Sequence, residues 1–183
     1  MKMKRRKGLV LSGLFIAILV LVVLGLGTGS KQAETEAARV GAIAPNFTLT
    51  DLSGTALELK EIYRKNQLTL VNFWATWCPP CKREIPELVS FYRDYREQGL
   101  EILAVNAWDD SSLEQLRTFA EAAEMEFPIL RDTKEEAVQK YGVRGVPTTI
   151  FIDGSGRIKE IYVGSLTYNQ LRTRLERYLS DMD

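Results

Sequence analysis

Residues 68–74, Leu-Thr-Leu-Val-Asn-Phe-Trp, constrain this chain more than any other stretch. They are apolar or β-prone without alternation, the pattern of a strand buried on both faces, and such a strand needs a covering layer on each side. From Pro79 the pattern turns helical: Ile85, Leu88, Val89, Tyr92 and Tyr95 share one face, and Gly99 closes the stretch. Residues 100–106 read as a second buried strand. Residues 111–123 read as a helix with Leu113, Leu116, Phe119 and Ala120 inward, capped by Ser111 or Ser112 with Glu114 in its first turn. A short strand at 127–130, a short helix at 134–141 ended by Gly142, and a last helix at 167–179 follow. Two hairpins frame these units. Residues 47–50 and 56–59 flank a Ser53-Gly54 turn, and 148–152 and 158–163 are joined across Asp153-Gly154-Ser155-Gly156. Units of strand and helix followed by an antiparallel hairpin predict an α/β fold, a mixed sheet flanked by helices, in one domain over residues 40–183. Phe73, Phe91 and Phe119 read as core, while Trp74 reads equally as core or as apolar surface flanking the cysteines.

The amino-terminal part has a different character. Residues 8–29 are uncharged and dominated by Leu, Val and Ile, long enough as a helix to cross about 30 Å of hydrocarbon. Lys2, Lys4, Arg5, Arg6 and Lys7 precede them and are expected to stay in the cytoplasm. Residues 1–30 therefore predict a basic stub and a single transmembrane signal-anchor, with everything after Ser30 on the outer face. The apolar run exceeds the roughly 7 to 15 residues of a cleaved signal peptide, for which cleavage near 27–33 is the alternative. Residues 31–39, rich in Ala, Glu and Gln, read as a spacer.

Composition removes whole classes of chemistry. The formal net charge is zero, and without the five basic residues of the stub 19 basic residues face 24 acidic ones, so no basic stripe suggests nucleic acid. No histidine is present, which excludes Ser/His/Asp and Cys/His nucleophilic sites, histidine-ligated metal and haem attachment at C-x-x-C-H. With two cysteines and no histidine, neither a four-cysteine zinc site nor one mixing cysteines with histidines can be assembled within one chain. No metal or other cofactor is expected. Cys78 and Cys81 are left with redox chemistry or a structural disulfide.

Their position favours redox chemistry. Trp77-Cys78-Pro79-Pro80-Cys81 stands where the strand hands over to the helix, and a helix start offers unpaired N–H groups and the positive end of its dipole. Both favour thiolate, so the Cys78 pKa should fall below the roughly 8.5 of a free cysteine. Pro80 is tolerated because the first turn has no partner for its N–H. Residues three apart on a helix lie within disulfide reach, and a loop this short would restrict the unfolded chain little, which weighs against a purely structural bridge. Cys78, at the exposed end, should attack, and Cys81, one turn inside, should resolve the mixed disulfide.

Residues 70–86, Leu-Val-Asn-Phe-Trp-Ala-Thr-Trp-Cys-Pro-Pro-Cys-Lys-Arg-Glu-Ile-Pro, resemble the active-site segment of the thioredoxin superfamily, and Gly145-Val146-Pro147-Thr148-Thr149 resembles its substrate-binding proline loop. The start Ala44-Pro45-Asn46-Phe47-Thr48-Leu49, the added region around 107–130 and the anchor narrow the resemblance to the ResA and TlpA-like branch. This implies a thioredoxin-like sheet with an added N-terminal hairpin and a central insertion. It also implies a membrane-anchored, monomeric thiol-disulfide oxidoreductase that reduces protein disulfides outside the cytoplasm, notably those of apocytochrome c before haem attachment, and is re-reduced by a CcdA-like membrane protein. In that family the proline matching Pro147 is cis. A cis bond would turn the Val146 backbone outward as an edge for a client. Trp77, Pro80, Val146 and Pro147 are thus the candidate substrate-binding residues. Asn72 occupies the place where many thioredoxins have a buried acid, and Glu84, three residues after Cys81 on its side of the helix, is the candidate substitute. Pro86 should bend that helix.

Alternatives remain open at this level. They are reduction of other envelope or spore proteins, oxidase or isomerase activity, a peroxiredoxin-like peroxidase suggested by residues 44–59, and a non-catalytic binding module on the membrane.

Overall fold

The computed structural model describes residues 36–180. In chain order these form β1 (Thr48–Asp51), β2 (Ala56–Glu58), α1 (Leu59–Tyr63), β3 (Leu68–Trp74), α2 (Pro79–Tyr95), a 3-10 turn (Arg96–Gln98), β4 (Leu100–Asn106), α3 (Leu113–Ala122), β5 (Ile129–Arg131), α4 (Glu136–Tyr141), β6 (Thr148–Asp153), β7 (Ile158–Val163) and α5 (Tyr168–Ser180). The expected basic stub and apolar run, and residues 31–35 of the spacer, lie outside the described residues. Among the described residues no helix is long and apolar enough to cross a membrane.

β3 is buried along its whole length and lies inside a seven-stranded sheet of order β2-β1-β5-β4-β3-β6-β7. It pairs in parallel with β4 and antiparallel with β6, which gives the anticipated mixed sheet. Successive side chains of β3 go to opposite faces. Leu68, Leu70 and Trp74 join the core built on α2, α3 and α5, while Val71 and Phe73 join the one built on α1, α4 and the entry segment Ala44 and Phe47. Each such side chain removed from water stabilises the fold by roughly 1.5–3 kcal/mol before entropy is counted, so β3 is fixed from both sides. The added hairpin and the central insertion meet, because β1 pairs with β5, Thr50 opposite Arg131.

Several boundaries differ from the sequence reading, each for a local reason. Leu59 ends no strand; it opens α1, where Leu59 and Tyr63 are buried one turn apart and the Asn46 side chain accepts a hydrogen bond from the Lys60 N–H at 3.0 Å. Gly156, at φ +87°, lets the β6–β7 turn close on Tyr63; a Cβ there would stand 2.6 Å from the ring. α4 begins later than expected because Asp132 receives the N–H groups of Glu136 and Val138 at 2.7 and 2.9 Å. Ser112 is the residue that caps α3, in a reciprocal capping box with Gln115. Phe119 is only partly buried and leans on Trp74, ring centroids 5.3 Å apart. α2 continues through Pro86 to Tyr95, with Pro86 exposed on its outer side. Residues 36–39 are tied to the domain: Glu36 bridges Ile43, and the Ala37 N–H donates to the Ile43 carbonyl at 3.0 Å.

Candidate active site

The site is built where β3 and β4 end side by side. Their pairing runs one step beyond the strands, the Ala107 N–H donating to the Trp74 carbonyl at 3.0 Å, and a turn then closes with the Cys78 N–H on the Ala75 carbonyl at 3.2 Å. Cys78 is the N-cap of α2, in an extended conformation. The start of that helix can be accounted for group by group. Pro79 and Pro80 have no N–H, the Cys81 N–H points at the Cys78 sulfur at 3.2 Å, and the Lys82 N–H makes the first helical bond to the Cys78 carbonyl at 3.1 Å. The one free donor of the first turn is thus spent on the sulfur that sequence reasoning made the nucleophile, an arrangement that favours thiolate.

Cys78 and Cys81 form a disulfide with their Cα atoms 5.3 Å apart. In this oxidised state Cys78 is only 2% exposed, not the open sulfur that its place at the helix start suggested, and Cys81 is fully buried. The cover comes from the late proline loop: the Val146 carbonyl stands 3.6 Å from the Cys78 sulfur. The Val146–Pro147 bond is cis. That loop is held by the Thr148 hydroxyl, which donates to the Gly145 carbonyl at 2.8 Å, and by the Gly164 N–H, which donates to the Pro147 carbonyl at 2.9 Å. Of the expected client-facing residues, Trp77 is 57% exposed, Pro80 and Val146 are half-buried, and Pro147 is buried. The Val146 carbonyl faces the Cys78 sulfur, and Val146 itself stays half-exposed.

One helical turn beyond Cys81 on α2 lies Glu84, 1% exposed. Its carboxylate accepts hydrogen bonds from the Leu166 N–H at 2.9 Å and from the Asn72 amide at 3.2 Å. Asn72 also donates to the Thr149 hydroxyl at 2.9 Å, so the buried amide joins α2, β3 and β6 across the sheet centre. Burial pushes the Glu84 pKa up to about 7; its two neutral donors oppose this but do not offset it. Glu84 is therefore a buried carboxyl, in the range where it can gain and lose a proton near neutrality.

Sequence reasoning passed over a second carboxylate. Asp109, in the loop after β4, accepts from the Thr76 N–H at 2.6 Å, the Thr76 hydroxyl at 3.1 Å, the Asn106 amide at 2.9 Å and the Ser111 N–H at 3.0 Å. Partial burial would raise its pKa, but hydrogen bonding from the Ser111 side chain, the Thr76 N–H, the Asn106 amide and the Ser111 N–H outweighs it and holds the carboxyl at about 2. The preceding residue, Trp108, takes a left-handed φ of +53° and accepts the Trp77 indole N–H on its carbonyl at 2.7 Å. The available signal was the polar run Asp109-Asp110-Ser111-Ser112 directly after a buried strand, at the carboxyl end of parallel strands where α/β sites form.

Comparison with known proteins agrees with this geometry. Residues 40–161 match the AhpC/TSA family. The thiol-disulfide oxidoreductase ResA of Geobacillus thermodenitrificans is 37% identical over 174 residues, covering 95% of this chain and 98% of the relative. ResA of Halalkalibacterium halodurans is likewise 37% identical, over 95% of this chain and 97% of the relative. A solved thiol:disulfide interchange protein of the thioredoxin family from Chlorobium tepidum superposes with a TM-score of 0.67 at 25% identity, covering 77% of this chain and 98% of that one. With its Cys-x-x-Cys pair bridged at the start of a helix in a thioredoxin-like sheet, the chain belongs to the thioredoxin-like AhpC/TSA family and is a thiol-disulfide oxidoreductase of the ResA kind.

Proposed function

We propose that this enzyme runs in the reducing direction on the outer face of a membrane, with apocytochrome c before haem attachment as its client and a CcdA-like membrane protein as its electron source. The observation that carries the reading is the buried Glu84 carboxyl, one helical turn beyond Cys81, with a pKa near neutrality. A reductase must remove a proton from its resolving thiol at the moment of attack, and the chain has no histidine to do it. The outer-face assignment rests on the basic cluster and apolar run at residues 2–29.

The exchange balances in two steps. The Cys78 thiolate attacks one client sulfur, forming a mixed disulfide and releasing the other client sulfur as thiolate. The Cys81 thiol then gives its proton to Glu84 and attacks the Cys78 sulfur. This frees the second client thiolate and leaves the Cys78–Cys81 disulfide, with two electrons passed to the client. Trp77, Pro80, Val146 and Pro147 receive the client around its own disulfide. Re-reduction by the membrane donor closes the cycle, and no bound cofactor takes part.

The deciding experiment is the reduction potential of the pair, equilibrated against glutathione buffers, together with reduction of an oxidised apocytochrome c peptide. A potential near the roughly −270 mV of thioredoxin, with reduction of the peptide, is expected; one near the roughly −120 mV of a dedicated oxidant overturns the reading.

A further inference from the structure

Two of the four bonds of Asp109 come from Thr76 in the turn before the nucleophile, and the other two, from Asn106 and Ser111, tie the same carboxylate to the loop after β4. We propose that Asp109 is a positioning residue for disulfide exchange: it fastens the turn at Thr76 and Trp77 to the loop after β4, and so holds the exposed Trp77 ring as a fixed docking platform beside Cys78. The inference rests on the exchange activity and on Trp77 as a client-facing residue, and it is independent of the client's identity and of the direction of electron flow.

Three observations support it. Thr76 is held twice, through its N–H and its hydroxyl, both on the Asp109 carboxylate, while the Thr76 hydroxyl also lies 3.1 Å from that of Ser111. Trp77, the next residue, is held at its indole by the Trp108 carbonyl, so the consecutive residues Trp108 and Asp109 fix the consecutive residues Trp77 and Thr76. Trp77 is 57% exposed, so little burial keeps its ring in place and its orientation leans on these bonds. The left-handed backbone of Trp108, costly for a bulky residue, is what aims that carbonyl at the indole.

The chemistry requires a carboxylate and not an amide. The Thr76 and Ser111 N–H groups, the Thr76 hydroxyl and the Asn106 amide converge on two oxygens. An asparagine at 109 would turn an NH2 group toward donors and leave at least one without an acceptor. The pKa of about 2 keeps both oxygens available as acceptors at any physiological pH.

The test compares two substrates on the reduced full-length protein. Insulin must dock on the surface around Cys78, whereas the small aromatic disulfide dithiobis-nitrobenzoate needs only the sulfur. Asp109→Asn should lower kcat/KM for insulin about fivefold and leave the rate with the small disulfide within about twofold, and added to Trp77→Ala it should cause no further loss. Equal loss on both substrates, a loss that adds in full to that of Trp77→Ala, or no loss at all would each overturn the proposal. Trp77→Phe, which deletes the indole N–H and keeps a ring, covers the case in which Asp109→Asn does not fold. It should show the same selective loss, and full insulin activity in that variant overturns the proposal equally.

Discussion

Glu84 and Asp109 are two acids near one redox pair whose surroundings drive them in opposite directions. Glu84 is enclosed, accepts two hydrogen bonds from neutral amides, and is pushed up to about 7. Asp109 is partly exposed, accepts four, and falls to about 2. Desolvation acts on both; the number of donors decides the sign of the result. The difference separates a carboxyl that can move a proton from one that can only hold structure, and it divides the site into a titrating side under Cys81 and a fixed side before Cys78.

Swapping out the sulfurs is the strongest way to break this division. Cys81→Ala should lose turnover more than about a hundredfold, because removing one member of a covalent unit removes nearly all of its effect. It should accumulate mixed disulfides with clients through Cys78, visible on non-reducing gels and by mass spectrometry. Cys78→Ala should be equally inactive and trap nothing. If Cys78→Ala were the variant that trapped clients, nucleophile and resolver would exchange places and Glu84 would lie under the wrong thiol.

The next effect is thermodynamic. Folded, oxidised protein holds the Glu84 proton up to about pH 7, while the unfolded chain releases it near the ordinary carboxyl value of 4.5. Between those limits the folded state binds more protons, so stability falls as pH rises and flattens above about 7, by a total of about 3 kcal/mol. Asp109 behaves in the opposite sense. Its contribution is present above the unfolded value of 3.8 and is lost as pH falls toward about 2; allowing for screening at a partly exposed site, it is about 1 kcal/mol. Denaturant titrations at a series of pH values check both: Glu84→Gln should remove the slope between about 4.5 and 7, and Asp109→Asn only the acid limb. A Glu84→Gln curve that keeps the wild-type slope would mean that another group carries it.

How much of this was readable beforehand follows the same division. β3, the start of α2 and the spacing from Cys81 to Glu84 are local features, each visible in a window of a few residues, and helical spacing alone put Glu84 on the side of Cys81. What the spacing left open was its burial, which depends on Leu166 arriving from 82 residues away and Asn72 from the neighbouring strand. For Asp109 the polar run after β4 was legible, but its partner in the turn before Cys78 was not, for a related reason. Thr76 and Asp109 are 33 residues apart and meet only because β3 and β4 are parallel neighbours in matched register. The cover over Cys78 likewise needs Val146, 68 residues on. Strand pairing, more than residue type, decided what lay beyond the local reading, as α1 also shows: its Leu59 looked like a strand end until Asn46 and Phe47 were packed against it.

The smallest expected effect is the most informative about mechanism. Glu84→Gln should leave the alkylation rate of Cys78 unchanged, because the donor at that sulfur is the Cys81 N–H, which the substitution does not touch. Reduction of a protein disulfide should slow roughly threefold to tenfold, at or below the about 1.4 kcal/mol that a tenfold change represents, because water can still accept the Cys81 proton, less effectively than a placed base. The pH profile carries the diagnosis. In the wild type the rate should rise through about pH 7 as Glu84 becomes a carboxylate able to accept a proton, and in Glu84→Gln that limb should disappear while the limb set by Cys78 ionisation stays. A uniform drop at all pH values would instead assign Glu84 a packing role. An unchanged rate between about pH 6 and 8 would leave the titrating side of the site thermodynamic only, with its protons linked to stability and not to exchange.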